Sequence, residues 1–356
     1  MPEGHTVHRL AHALGELFAG QKLAVSSPQG RFADGAAVLD GARLVASEAW
    51  GKHLFLGFAA PGAVESDDVP DLWLRVHLGL YGAWTFAGDG SAVVEHAIGA
   101  PRRRIGEVES AVPDESAAGP AQRSAERPAP APEPPGRTVS PDRSGADSWN
   151  PPEPRGAVRV RLLGEHAVAD LNGPTACEVI DGSEKRAVEA RLGPDPLRGE
   201  AQGAGRSADV EAFVARVGRT RTDVGRLLMD QAVVAGVGNI YRAEALFRAG
   251  LDPLSPGRDV PAEVLRSLYA DLAALMADGV RTGRIVTTRE EHRGDDRVAG
   301  SHRVRQNTDG DPGAVPREQS FYVYHREGLP CRVCGSTVLV RDLAGRTLFW
   351  CPSCQV

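Results

Sequence analysis

LLMDQAVVAGVGNIY, Leu227 to Tyr241, is the stretch on which the reading of this 356-residue chain turns. Its apolar first half suits a buried helix, Gly236 and Gly238 mark a tight turn, and Asn239 opens a second helix. Free N–H groups at that second helix start, with the Asn239 amide, suit a phosphate oxygen, although the pattern alone also serves as an ordinary turn and N-cap. Helical periodicity surrounds it: Ser207 to Val217, Val224 to Gln231, Asn239 to Ala249 and Pro261 to Ala277 are predicted as segments of one helical domain. Arg281 to Pro316 is polar, charged and Gly-rich, and reads as a long loop.

Toward the N-terminus, Val7, Leu10, Ala11, Leu14, Leu17 and Phe18 recur at three- and four-residue spacing and predict an amphipathic helix stopped by Gly20. His53 to Phe58, Leu72 to His77 and Tyr81 to Phe86 read as strands. Val158 to Leu163, a Gly164-Glu165 turn and His166 to Leu171 read as a hairpin. Between these strands, Gly106 to Pro154 holds eleven of the chain's 26 prolines among Ala, Ser and Glu. Such a composition cannot bury enough apolar surface to offset its ordering entropy, so a disordered insertion hung from one edge of a single β domain is expected.

The charge balance, 41 basic against 47 acidic residues, argues at first against a nucleic-acid partner. The insertion carries nine carboxylates and four arginines, so −5 of the net −6 sits there and −1 in the remainder, which removes most of the objection. Lysine occurs only at Lys22, Lys52 and Lys185, so a lysine in a plausible site stands out. No run approaches the ~20 apolar residues that span a bilayer, which excludes an integral membrane protein. The first residues lack the basic head and apolar run of a signal peptide, and a cytosolic address follows.

Four of the five cysteines lie in the tail as Cys331-x2-Cys334 and Cys351-x2-Cys354, 16 residues apart. Two such knuckles can converge four thiolates on one structural zinc ion while Val338 to Phe349 forms a β-hairpin between them. With four sulfurs bound, no position remains for water. A redox dithiol is a poor alternative without a βαβ context, and Cys177, standing alone, reads as a small buried hydrophobe.

Excision of Met1 before a small residue would expose the secondary amine of Pro2 beside Glu3. An N-terminal amine titrates near 7.7 to 8.0, so a useful fraction is nucleophilic at neutral pH, and the neighbouring carboxyl can serve as acid or base. A plainer reading makes Pro-Glu a helix start. Trp50-Gly51-Lys52-His53 places Lys52 at a turn into a strand, where the plain reading is a solvated lysine. His5, His8 and His12 share a helix face that reads as a solvent-facing stripe rather than a metal site.

Together these residues resemble the formamidopyrimidine-DNA glycosylase/endonuclease VIII family, and within it the endonuclease VIII branch of actinobacterial type. The matching blocks are Pro2-Glu3-Gly4, Gly51 to Phe55, His77 to Gly82, Leu192 to Leu197, Leu228 to Phe247 and Glu327 to Gln355. The resemblance implies an α+β multidomain chain. Its parts would be an N-terminal helix plus β-sandwich over 1–175, a helical helix-two-turn-helix domain over 176–316 with Leu192 to Leu197 at the hinge, and a zinc-finger β-hairpin over 317–356. It implies a bifunctional DNA glycosylase and abasic-site lyase of base excision repair, acting on oxidised bases, mainly pyrimidines, in damaged duplex DNA. Pro2 would be the Schiff-base nucleophile and Glu3 the general acid/base. Lys52 would contact the phosphate or sugar at the lesion, while Asn239 and Arg346 would grip flanking phosphates. Glu244 matches a carboxylate close to the proline amine.

A base turned out of the stack leaves a gap, and Leu80 with its neighbour Tyr81 is the plug expected for it, the plain alternative for Leu80 being core packing. Three positions depart from the family pattern: Thr6 replaces a glutamate, Gly79 stands at a wedge position elsewhere occupied by glutamine, and Gly225 replaces a lysine associated with oxidised purines. No organic cofactor and no membrane partner are expected, and a monomer acting on the nucleoid suits an enzyme that scans DNA. The reading from a different class is a catalytically silent zinc-finger protein that binds damaged or structured DNA. Pro2, Glu3 and Lys52 together favour catalysis, since a binding module needs none of them in combination.

Overall fold

The computed structural model describes residues 2–59, 69–91, 97–99, 149–198, 205–293 and 315–356. Residues 106–148 of the expected insertion and 294–314 of the expected long loop lie outside the described residues. Helix α1 (Gly4–Phe18) buries Val7, Leu10, Ala11, Leu14 and Phe18, the stripe read from the spacing. The chain then forms β1 (Ala24–Ser26), α2 (Ala33–Leu39), β2 (Arg43–Trp50), β3 (His53–Ala59), β4 (Leu72–His77), β5 (Ala83–Gly88), β6 (Ala97–Gly99), β7 (Val158–Leu163), β8 (Ala167–Asn172) and β9 (Ala176–Asp181).

These strands make two antiparallel sheets, ordered β2-β3-β4-β9 and β1-β7-β8-β5-β6. Their inner faces meet in one core, with Leu54, Leu56, Leu74 and Val76 from the first sheet and Trp84, Phe86, Val160 and Leu171 from the second. This is the expected sandwich. Its C-terminal limit is later than expected: β9 pairs with β4 from His77↔Ala176 to Leu72↔Asp181, so the β domain runs to Asp181, past the 175/176 boundary. A short, half-exposed strand containing Cys177 and Glu178 carries little alternation, which hides it in the sequence.

Helix α3 (Gly182–Glu189) starts abruptly because Asp181 and Glu184 form a capping box: the Asp181 carboxylate accepts from the Ser183 and Glu184 amides at 2.7 and 2.8 Å. The helical domain follows as α4 (Gly205–Gly218), α5 (Val224–Leu227), α6 (Asn239–Arg248) and α7 (Ala262–Thr282) around Phe213, Leu228, Val234, Tyr241, Leu246, Leu272 and Met276. Helix α5 ends well before the expected Gln231. Beyond it the amides of Val233 and Val234 both return to the Asp230 carbonyl, and the chain turns twice before α6. After α8 (Arg317–Ser320) comes the hairpin of β10 (Leu339–Leu343) and β11 (Arg346–Trp350), as expected.

Helix α1 packs against β2 and β3 on one side and against α7 on the other, so it belongs to both domains. At that contact Gly279 leaves no space for a side chain, since a Cβ there would lie 2.5 Å from the Tyr241 hydroxyl. Truncating Leu14, fully buried on α1, should therefore loosen the β core. Leu14→Ala is expected to cost about 2–5 kcal/mol in urea unfolding.

Candidate active site

Pro2 and Glu3 precede α1 and are both buried. The Glu3 carboxylate does not serve α1. It crosses to α6 and accepts from the backbone amides of Gly238 (Oε2, 2.8 Å), Ile240 (Oε1, 2.8 Å) and Tyr241 (Oε2, 3.4 Å). Two readings are corrected by this. The Glu3 side chain makes no cap on α1, and the amides of Gly238, Ile240 and Tyr241 around the start of α6 are taken by this carboxylate rather than left for phosphate. A positive helix end and three donors make this a good seat for an anion, and glycine supplies the room. A Cβ on Gly238 would lie 2.4 Å from Glu3 Cδ, and the Gly4 amide donates to the Gly236 carbonyl at 2.8 Å.

Burial raises the Glu3 pKa, against the lowering effect of Lys52 and the three amides. Burial likewise lowers that of Lys52, with Glu3 opposing and Arg346 adding to the shift. Both displacements favour neutral forms, so Glu3 keeps a proton to higher pH than an ordinary glutamate and can deliver it.

Lys52 sits in the β2–β3 turn, next to Gly51 with φ 59°. The Gly51 amide donates to Asp195 Oδ2 at 2.7 Å, and the same oxygen lies 2.8 Å from His8 Nε2, while Oδ1 accepts from the Leu197 amide at 2.9 Å. The Leu192 to Leu197 turn is thus a clasp joining α1, the Lys52 turn and the helical domain. The histidines do not form a solvent stripe: His5 and His8 are buried, His5 edge-on to Tyr241 and His8 on Asp195, and only His12 is exposed.

Asn239 and Arg346 come together through the hairpin. Asn239 Nδ2 donates to the Thr347 carbonyl at 2.9 Å, and Arg346 lies exposed one residue before it, following Ala344-Gly345 at φ 54° and 72°. Arg242, which sequence reasoning missed, is wholly buried here. Its Nη2 donates to Asn239 Oδ1 and to the Thr347 carbonyl, and its Nε and Nη1 have no protein partner among the described residues. Its spacing of three from Asn239 was the available signal.

Glu244 is not directed at the proline. Its two oxygens accept from the Thr287 hydroxyl and from the amides of Tyr322, Val323 and Tyr324 at 2.8 to 2.9 Å, fastening the strap that leads to the cysteines. Four donors satisfy both oxygens, so the matched carboxylate acts here as an anchor.

Leu80 and Tyr81 are 40% and 54% exposed on the β4–β5 loop, so Leu80 is not a core residue. Gly79 turns this loop at φ 66°, and a Cβ there would strike Thr175 Oγ1 at 1.8 Å, so no longer side chain fits the position. The four tail cysteines converge with all sulfurs within 4.8 Å of one another. Sγ–Sγ separations of 3.9 Å (Cys331 to Cys354) and 3.5 Å (Cys334 to Cys351) bracket the ~3.8 Å edge of a tetrahedron with ~2.3 Å metal–sulfur bonds. The set fits one metal ion.

Residues 1–115 match the formamidopyrimidine-DNA glycosylase N-terminal domain and residues 192–291 the H2TH domain of the same glycosylase. The chain is 39% identical over 355 residues, all of both proteins, to endonuclease 8 1 of Mycobacterium tuberculosis. The chain belongs to the formamidopyrimidine-DNA glycosylase/endonuclease VIII family. It is accordingly a DNA glycosylase of base excision repair with abasic-site lyase activity. It is 36% identical over 165 residues to the formamidopyrimidine-DNA glycosylase of Thermus thermophilus, covering 46% of this chain and 54% of that one. The crystal structure of the MutM (Fpg) protein from Thermus thermophilus superposes with a TM-score of 0.61 at 25% identity, over 99% of this chain and 98% of that one. The complex of Lactococcus lactis Fpg with DNA containing N7-benzyl-Fapy-dG also scores 0.61, at 16% identity over 99% of each chain, and shares the fold.

Two outcomes follow for this site. Gly238→Ala, which drives a methyl group into the Glu3 carboxylate, should lower activity on abasic DNA at least tenfold with a fall in melting temperature. Metal analysis should find one ion per chain, and a strong chelator should remove it with loss of DNA binding before the β domain unfolds, as read by circular dichroism.

Proposed function

We propose that this chain excises oxidised bases, mainly pyrimidines, from damaged duplex DNA and nicks the strand through a Schiff base on Pro2. After removal of Met1, the Pro2 amine attacks C1′. The C1′–N bond breaks, the base departs with a proton delivered by Glu3, and the sugar ring opens to an iminium ion on Pro2. Loss of a C2′ proton expels the 3′ phosphate, a second elimination releases the 5′ phosphate, and water frees the amine. One observation carries this reading: a fully buried carboxylate, seated on a helix start and facing Lys52, adjoins the proline. A protein that only holds DNA gains nothing from burying such a group at a desolvation cost.

Lys52, Asn239 and Arg346 would hold phosphates around the lesion, and Leu80 with Tyr81 would fill the gap left by the everted nucleotide. The exposure of that loop and the position of Asn239 and Arg346 at one hairpin contact support the assignment. At Gly225 a Cβ would meet the Pro253 carbonyl at 2.9 Å and Leu343 Cδ2 at 3.3 Å, which leaves no path for the lysine associated with purine lesions. The metal would be one structural zinc ion on Cys331, Cys334, Cys351 and Cys354, holding the Arg346 hairpin in shape and taking no chemical part. Glu244 and Arg242 would act as positioning residues for that hairpin. The enzyme would work as a monomer in the cytoplasm, on the nucleoid.

Borohydride reduction with an abasic-site duplex should trap wild-type protein covalently, and neither Pro2→Gly nor protein retaining Met1 should be trapped to more than a few per cent of that level. Absence of a wild-type adduct overturns the mechanism. Glu3→Gln should lose base excision by at least 100-fold, the scale of a general acid's contribution, while keeping more of its lyase activity on a preformed abasic site, which has no base to protonate. The pH profiles should diverge on the alkaline side. Excision should fall as pH rises through the raised Glu3 pKa, while abasic-site trapping rises as the Pro2 amine, with a reference pKa of about 7.7 to 8.0, loses its proton. Parallel profiles would remove Glu3 as the proton donor.

A further inference from the structure

The loop between α4 and α5 reads Arg219-Thr220-Arg221-Thr222-Asp223 and continues to Arg226 on α5. Arg219, Arg221 and Arg226 are exposed, and among the described residues none has a side-chain hydrogen bond or ion pair. Some exposed arginines of this domain do find a carboxylate, Arg266 with Glu211 and Arg281 with Asp278, whereas these three do not. Asp259, which follows the facing segment, pairs with Arg258 at 3.3 Å.

The loop is a rigid platform. Four backbone hydrogen bonds staple it to the segment 253–258: Gly225 N to Pro253 O at 2.8 Å, and Val224 N to Ser255 O, Gly257 N to Thr222 O and Arg258 N to Thr220 O, each at 2.9 Å. Gly257 permits this approach, since a Cβ there would lie 2.6 Å from the Val217 carbonyl. Three cations fixed in this way lose little backbone freedom on binding, so a polyanion meets them at low entropic cost.

Its place in the fold identifies the polyanion. Gly225, one residue before Arg226, closes onto Leu343 of the hairpin. Leu343 pairs directly with Arg346, and Arg341 lies two residues before Leu343, so Arg341, Leu343 and Arg346 share one face of the ribbon. Arg341 and Arg346 are exposed on that face. The platform therefore continues the cationic side of the hairpin across onto the helical domain.

We propose that Arg219, Arg221 and Arg226 form a second phosphate-binding surface, which holds the DNA backbone beyond the nucleotides that flank the lesion. This rests on the reading of the chain as an enzyme of damaged duplex DNA and extends its footprint. The contact is to phosphates alone, so it adds affinity without base preference.

The test is the salt dependence of binding. Anisotropy titrations would use duplexes carrying a non-cleavable abasic analogue, one of about 30 base pairs and one of about 10 base pairs, the shorter covering only the lesion contacts. Each phosphate contact adds about −0.9 to the slope of log K against log salt, so wild type should show a slope steeper by about 2.7 on the longer duplex. Between 50 and 200 mM salt that corresponds to an extra loss in affinity of about 40-fold. In R219A/R221A/R226A the two slopes should coincide, with the short-duplex affinity and melting temperature unchanged. R219K/R221K/R226K should retain the wild-type difference, because a point charge suffices for phosphate. If the alanine variant keeps the full slope difference, or loses affinity equally for both duplexes, the proposal is overturned. Covalent trapping of wild type at saturating DNA tests the catalytic reading separately: failure there with the slope difference intact overturns the chemistry and leaves the surface.

Discussion

The seat of the Glu3 carboxylate on the first amides of α6 is the contact on which the rest of the structure depends. A charge buried this fully is costly unless several donors converge on it, and the start of a helix is the place where a backbone offers donors with no partners of their own. Three glycines follow from that single requirement. Gly238 makes room for the carboxyl, and Gly4 and Gly236 allow the two backbones to meet at 2.8 Å. The acid is therefore also the clasp between the β domain and the helical domain. Moving it for chemistry and moving it for structure are the same perturbation.

The other groups of the site are held by the same means, through backbone contacts between segments far apart in sequence. Asp195 grips the turn that presents Lys52 and, from the other side, His8 on α1. Arg242 and Asn239 grip the carbonyl of Thr347, next to Arg346. Glu244 ties the strap that leads to the cysteines. Lys52 and Arg346, the candidate phosphate contacts, thus each have a chain neighbour held by a buried polar group, which restricts their freedom. Burial raises Glu3 and lowers Lys52, which favours the neutral form of each and eases the desolvation cost.

Local features were legible without coordinates wherever one segment decides its own conformation. The α1 stripe, the β7–β8 hairpin and the tail hairpin follow from periodicity and turn residues, and the cysteine spacing anticipates the sulfur cluster. Strand β9 was not legible, because a half-exposed strand held by a single neighbour shows no clear alternation. The end of α5 was missed for a related reason: apolar residues from Leu227 to Val237 pack in the core through two turns as well as they would in a helix. The histidines of α1 were misread because an amphipathic helix does not announce that a second domain covers its other side.

Composition, spacing and motif order by themselves determined the family, the fold class and the sulfur site, and they singled out Pro2, Glu3, Lys52, Asn239 and Arg346 as candidates. Those properties reside in residue types and short-range geometry. What each polar side chain does with its partners was decided only by the tertiary structure. Glu3 occupies amides that seemed free for phosphate, Glu244 anchors a strap instead of facing the proline, and Arg242 reaches a carbonyl of the distant hairpin. The reason is physical: a buried polar group is defined by the donors and acceptors that surround it, and here those come from segments as many as 238 residues away along the chain.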